Sequence, residues 1–190
     1  MPIQSREDLL YYLKQDRIAL KCLSGFVLQK DNIWKFEILL KKAEYYCNCM
    51  PGKLKKNGSI YKRRLYRLGA KCGFSIPINC FGPGLPIAHC GAIVVNDTEK
   101  IEKNCHVHEG VTIGETGKNG QAAIIGANCF LATGAKVIGD VHLGNDIAVG
   151  ANAVVTKSFL EDKITLGGVP AKKISNHSSR DFLADGLFEN

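Results

Sequence analysis

Between residues 125 and 155 an aliphatic side chain returns at every sixth position: Ile125, Leu131, Val137, Leu143, Val149 and Val155. A helix repeats its apolar positions at about 3.6 residues and a half-buried strand at about 2, so neither can carry this pattern as one continuous element. A coil whose sides are six residues long can, and a parallel β-helix is such a coil. The fourth residue after each aliphatic one is also small or apolar (Cys129, Ala135, Val141, Ile147, Ala153), so each hexad sends two residues inward. Gly126, Gly144 and Gly150 directly follow their aliphatic residues, where tight corners are expected to favour a residue free of Cβ strain. Counting back by sixes, Ile113, Val107, Ile101 and Val95 extend the frame. Asn119 fills the position midway between Ile113 and Ile125, which marks residues 114–123 (GETGKNGQAA) as a loop thrown out from the prism.

A chain of 190 residues has room for one core of this kind and a smaller second element. Its 45% hydrophobic and 23% charged residues are those of a globular protein. No apolar run reaches the ~18 residues that span a bilayer, and MPIQSREDLL lacks a signal-peptide core, so a cytoplasmic location is expected. The eight cysteines accordingly read as reduced thiols. Cys105 and Cys129 fall at inward positions, and the Cys47/Cys49 pair has no second pair at zinc-ligand spacing. Charge is uneven: residues 1–72 hold 16 Lys and Arg against 6 Asp and Glu, a net +10, and the remainder is −3. The basic half fits a solvated helical surface or an anionic partner; no nucleic-acid ligand is expected.

Residues 1–73 form a helical region. Ser5-Arg6-Glu7-Asp8 resembles a capping box ahead of Leu9, Leu10 and Leu13, and Asp31-Asn32 is a second cap. Trp34, Phe36, Leu39, Leu40, Ala43 and Tyr46 predict a longer helix ending near Met50-Pro51. Asn57-Gly58-Ser59 closes a polar segment as a turn, and a third helix covers residues 60–70 with Gly73 as its stop. Residues 74–174 make the β-helix, opening on an irregular first coil rich in proline, and residues 175–190 form a polar tail expected to be mobile.

HCGAIVVND, VTIGETGKNG, AVGANAVVTKSF and GGVPAKKI, with the hexads, resemble the serine acetyltransferase branch of the hexapeptide-repeat acyltransferases. SREDLLYYLKQDRIAL, IWKFEILLKKAEYY and GFSIPINCFGPGLPIAH look more closely like the short enzymes of that type found in bacterial capsule and surface-polysaccharide clusters. The resemblance implies a mainly β protein, a left-handed parallel β-helix with a small N-terminal α-helical region, assembled as a homotrimer with active sites between prisms. It also implies acetyl-CoA as co-substrate and acetyl transfer to a sugar hydroxyl of a surface polysaccharide or its precursor, with a peripheral contact to membrane-bound polysaccharide machinery. Serine O-acetyl transfer and amino-sugar N-acetyl transfer are the alternatives, and a non-catalytic trimeric module is a further one.

The same resemblance assigns residues. His89, in IAHCG, matches the catalytic histidine, whose expected role is general base; imidazole suits it because its unperturbed pKa lies near neutrality. Gly134 and Ala151 would let the pantetheine arm lie along the prism edge, and Thr156, Lys157, Pro170 and Lys172 would meet the adenine and phosphates. Phe74, His106 and His108 are weaker candidates for the acceptor pocket. His106 and His108 share a strand face, so with His89 they also raise a zinc hydratase alternative, but no metal is expected. The family's Asp before the catalytic histidine, its Asp fifteen residues upstream and its Arg-His pair correspond here to Ala88, Phe74 and Gln121-Ala122. These are the groups that would contact a serine zwitterion or support the base, and their loss is what favours a saccharide acceptor.

Overall fold

A computed structural model describes residues 2–21, 32–51, 55–117 and 122–188. Asp31, Asn119 and Gln121, which carry expectations above, lie outside them. Among the described residues three helices come first: α1 (Arg6–Ala19), α2 (Asn32–Asn48) and α3 (Lys55–Cys72). Ser5 caps α1, its hydroxyl accepting from the Asp8 amide at 3.0 Å, while the Asp8 carboxylate accepts from the Gln4 amide. The box therefore closes one residue earlier than its usual form.

The turn expected at Asn57-Gly58-Ser59 is helix instead, and α3 begins at Lys55. Gly58 faces α2, where a Cβ would stand 2.9 Å from the Cys47 sulfur. Close helix packing, rather than a turn, is what requires glycine there, and Gly73 (φ +85°) then ends α3 in the left-handed region.

Short strands follow, wound on three faces. The first face holds β1 (Phe74–Ser75), β2 (Ile93–Val95), β5 (Thr112–Gly114), β8 (Lys136–Ile138) and β11 (Val154–Val155). The second holds β3 (Lys100–Ile101), β6 (Ile124–Ile125) and β9 (His142–Leu143). The third holds β4 (His106–Val107), β7 (Phe130–Leu131), β10 (Ala148–Val149), β12 (Thr165–Gly167) and β13 (Lys172–Ser175). Among the described residues all strand pairings are parallel except β12 with β13. Val137 pairs with Val155, Leu131 with Val149 and Leu143 with Ile125, so a regular coil is made of three hexads. Ile113 pairs with Val137 and Ile101 with Ile125, a step of four hexads, so the 114–123 excursion inserts one extra hexad.

Both inward positions of each hexad are buried, from Cys129 and Ala135 to Val149 and Val155. Gly126, Gly144 and Gly150 are not in the left-handed region, contrary to their expected role at the corners. Coil stacking requires them: a Cβ on Gly126 would lie 2.4 Å from the Gly144 carbonyl oxygen. The left-handed corners sit three residues before the aliphatic ones, at Asn104, Asn128, Asp146 and Asn152, with φ of 56–59°. Three of those side chains form a buried ladder, Asn104 donating to Asn128 (2.9 Å) and Asn128 to Asp146 (3.0 Å).

The first coil has no earlier coil to bond with, and buried side chains of the helices take that place. Asp16 accepts from the amides of Gly84 (2.7 Å) and Leu85 (2.9 Å), Glu37 from Ile87 (3.2 Å) and Glu44 from Asn79 (2.9 Å). Lys41 donates to the Phe81 carbonyl. These contacts fix the chain leading into His89.

The tail expected to be mobile is folded onto the prism. Two 3-10 turns, Ser179–Phe182 and Asp185–Leu187, end the described chain. Arg180 pairs with Asp146 at 2.8 Å, the buried Ser179 hydroxyl donates to the Asn128 carbonyl, and Phe182 stacks on Phe130 at 4.6 Å. The corner ladder thus supplies a polar anchor that the composition of the tail does not reveal. Among the described residues no helix is long and apolar enough to cross a membrane.

Candidate active site

Parallel register places the chemistry on one corner. Ile87 bridges Val107, Val107 pairs with Leu131, and Leu131 with Val149. Two positions further along, Glu109, Thr133 and Ala151 therefore follow one another down the same edge; in the first coil the register shifts by two residues after Ile87, so Gly91 lies over Glu109 and His89 stands two residues before it. Gly110, Gly134 and Asn152 form the adjacent row; a Cβ on Gly134 would meet the Asn152 side chain at 2.1 Å. Of the expected cofactor residues, Ala151 thus lies on this edge and Gly134 in the row beside it.

His89 is exposed and borders a cavity of about 310 Å³. Its other walls come from the end of α1 (Ala19, Leu20, Lys21), the first coil (Pro86, Ile87, Ala88), His106 and His108, and the tail (Phe182, Ala184). Three histidines converge: the ring centres of His89 and His108 are 6.0 Å apart, and those of His106 and His108 4.9 Å. Nδ1 of His106 donates to the Phe182 carbonyl at 3.1 Å, because a carbonyl oxygen can only accept. Burial lowers the pKa of His106 to about 4, outweighing that bond, so the ring is neutral near pH 7 with Nε2 unprotonated. Burial also lowers that of His108, against the opposing pull of Glu109.

Glu109 was not a sequence candidate. Its Oε1 accepts from the Thr133 hydroxyl at 2.9 Å, and its Oε2 lies 3.9 Å from Nδ1 of His108. Its own backbone N–H, then the Thr133 hydroxyl, hold its carboxyl below the usual range. Lys21 and Phe182 were also missed. The step from Ile87 to its bridge partner Val107 is not a whole number of hexads, so counting by sixes from His89 does not arrive at Glu109.

The other expected residues divide. Thr156 and Lys157 are exposed just after β11, the Lys157 ammonium lying 5.4 Å from the centre of the Phe159 ring. Pro170 follows a cis bond in the exposed turn before β13, where Lys172 begins the strand; the Ala171 amide donates to the Val154 carbonyl and ties that turn to β11. Phe74 must be corrected: it is 6% exposed and meets Phe36 edge-on at 5.0 Å, so it packs the helices onto the prism and offers no face to an acceptor. Among the described residues, no group of three or more His, Cys, Asp or Glu side chains is arranged to hold a metal ion. The seven described cysteines are free thiols, and burial pushes Cys129 up to about 12.

No protein-family model matches the chain. A serine acetyltransferase of Buchnera aphidicola is 31% identical over 132 residues, 67% of this chain and 47% of that protein. One of Helicobacter pylori is 38% identical over 128 residues, 62% of this chain and 74% of that protein. The chain spans about half the length of the Buchnera relative. Among solved structures, the serine acetyltransferase of Neisseria gonorrhoeae superposes with a TM-score of 0.70 at 20% identity, covering 90% of this chain and 68% of that one. A serine acetyltransferase in complex with CoA gives 0.65 at 20% identity, over 88% and 68%. At such identities the superpositions establish the fold, the left-handed parallel β-helix. The expected kinship with capsule and surface-polysaccharide enzymes, and with it the sugar hydroxyl as acceptor, is overturned by these relatives, which are named for acetyl transfer to serine. At 38% identity to a protein of which it spans 74%, the chain belongs to the serine acetyltransferase family.

Proposed function

We propose that this protein transfers the acetyl group of acetyl-CoA to the hydroxyl of serine, with His89 as general base. The observation that carries the reading is the exposed His89 in the wall of the cavity, beside the corner whose rows lead down to Gly134 and Ala151. The imidazole takes the hydroxyl proton as the serine oxygen attacks the thioester carbonyl. The tetrahedral intermediate then collapses, the carbon–sulfur bond breaks, and the imidazolium returns its proton to the departing CoA thiolate. Gly134 and Ala151 leave room for the pantetheine arm against the backbone. Thr156, Lys157, Pro170 and Lys172 receive the nucleotide end, the lysines as point charges for phosphate.

The replacements at Phe74, Ala88 and Ala122 mean that serine is recognised by other groups. Lys21 is the one permanently charged side chain lining the cavity among the described residues, and suits the acceptor carboxylate. The assembly is a homotrimer. Val94, Ile124 and Leu160 lie outward on the prism, and association covers such apolar faces.

The test is thiol release from acetyl-CoA with serine as acceptor, the product identified by its added acetyl mass. Serine-dependent release is expected; acetyl-CoA turnover that does not respond to serine would overturn the acceptor. His89→Ala is expected to lower kcat by about 10²–10⁴ with acetyl-CoA binding retained.

A further inference from the structure

The base at His89 has no carboxylate at either position where the family resemblance expects one, yet a carboxylate stands beside it from the next coil. Glu109 lies in the next coil under Gly91, two residues past His89, and its carboxylate feels the charge of both His108 and His89. The Glu109 stem is packed so closely that a Cβ on Gly91 would lie 2.7 Å from its Cβ, which confines the side chain to the corner. One oxygen is committed to Thr133. The other, Oε2, is buried without a hydrogen-bond partner and is 3.9 Å from Nδ1 of His108, whose ring meets that of His89 at an interplanar angle of 80°.

A carboxylate held in its ionised form stabilises a positive charge that develops nearby. In the proposed reaction a charge does develop nearby, on His89 when it accepts the hydroxyl proton. The neutral ring of His108 adjoins both, meeting the His89 ring edge-on and turning its Nδ1 side toward Glu109.

Resting on the proposed role of His89 as base, we infer that Glu109, acting with His108, is the positioning and charge-stabilising pair for that histidine. Glu109 does not line the cavity and does not touch the acceptor. Its carboxylate stabilises the imidazolium formed during attack, and His108 limits the orientations open to the His89 ring. A preorganised charge of this kind acts without reorganisation during the reaction.

Among the described residues, the charged and titratable groups around His89 are Lys21, His106, His108 and Glu109; the free thiol of Cys90, next to it in the chain, is hydrogen-bonded with that of Cys72 instead. Glu109 is the only anion among them. Glu109→Gln keeps the shape and an oxygen for the Thr133 hydroxyl but removes the charge. The expected result is a fall in kcat of about tenfold with an unchanged acetyl-CoA Kd. The acidic limb of the pH–kcat profile should also move to lower pH, because an anion favours protonated His89 and its loss disfavours it. A role confined to holding the corner would leave that limb in place. A folded Glu109→Gln protein with the wild-type limb, or with wild-type kcat, overturns the inference. Should that variant not fold, His108→Gln gives the same readout: a lowered kcat and a displaced limb are expected, and a wild-type profile again overturns the pair. His89→Ala is measured alongside. If it retains full turnover, the base itself is wrong; if it is inactive while Glu109→Gln is wild-type, only the supporting pair fails.

Discussion

Asp16 shows what a single residue contributes and costs in this protein. Its carboxylate, fully buried at the end of α1, holds two amides of the first coil. Burial raises its pKa from 3.8 to about 6, against the opposing effects of Lys41 and those two hydrogen bonds. The native state therefore binds more protons than the unfolded chain between about pH 4 and 6, and this group's contribution to stability falls as pH rises through that window. Two pK units correspond to about 3 kcal/mol. Asp16→Asn, which keeps an acceptor but cannot ionise, should flatten the dependence of urea-unfolding free energy on pH over that range; an unchanged slope would contradict the assignment. Asp16→Ala, which leaves both amides bare, should instead cost about 3 kcal/mol at pH 5 in the same measurement. Neither role is legible in the sequence, where Asp16 is one polar residue on a helix. His89, His106 and His108 were legible as a set because a motif and a two-residue spacing mark them. Glu109 was hidden because its proximity to His89 depends on the length of an irregular coil, and Phe74 was misjudged because a hydrophobic residue next to a proline-rich segment fits a core and a ligand face equally well.

At the scale of the element, the repeat carried most of the information. Six-residue periodicity is a property of packing alone, so the inward rows from Val95 to Val155 could be read directly from residue type, and the displaced loop showed as one empty place in the frame. Backbone detail was less accessible. A glycine that relieves left-handed strain and one that lets two coils approach look identical in a sequence, and at Gly126 it is the approach that decides. Gly126→Ala puts a methyl 2.4 Å from the Gly144 carbonyl oxygen, and a backbone atom cannot turn aside as a side chain can. A loss of about 3 kcal/mol is expected by chemical denaturation, with circular dichroism still showing the β-helix. The same ambiguity misplaced the start of α3, where Gly58 serves the contact with α2. The C-terminal turns were illegible for another reason: their anchors, Asn128 and Asp146, lie in distant coils that only the finished prism brings near.

For the whole molecule, the proposed trimer is tested by light scattering at working concentration. A mass near three times the 20.7 kDa chain is expected, and a monomer would remove the basis for sites shared between prisms. The three-hexad coil has a further consequence, for how the chain reaches this shape. β-proteins ordinarily fold slowly because their strands must find partners far away in sequence. Here each parallel strand finds its partner one coil further along, a separation of about a tenth of the chain in the regular coils, so the native contacts are unusually local for a mainly parallel sheet structure. Every finished coil presents a ready row of carbonyls and amides to the next, and growth can proceed as addition to a template, as in other quasi-one-dimensional folds. The irregular first coil lacks such a template in the prism, and the buried carboxylates of α1 and α2 stand where one would be. The helical end is therefore placed to serve as the starter block for such a linear assembly.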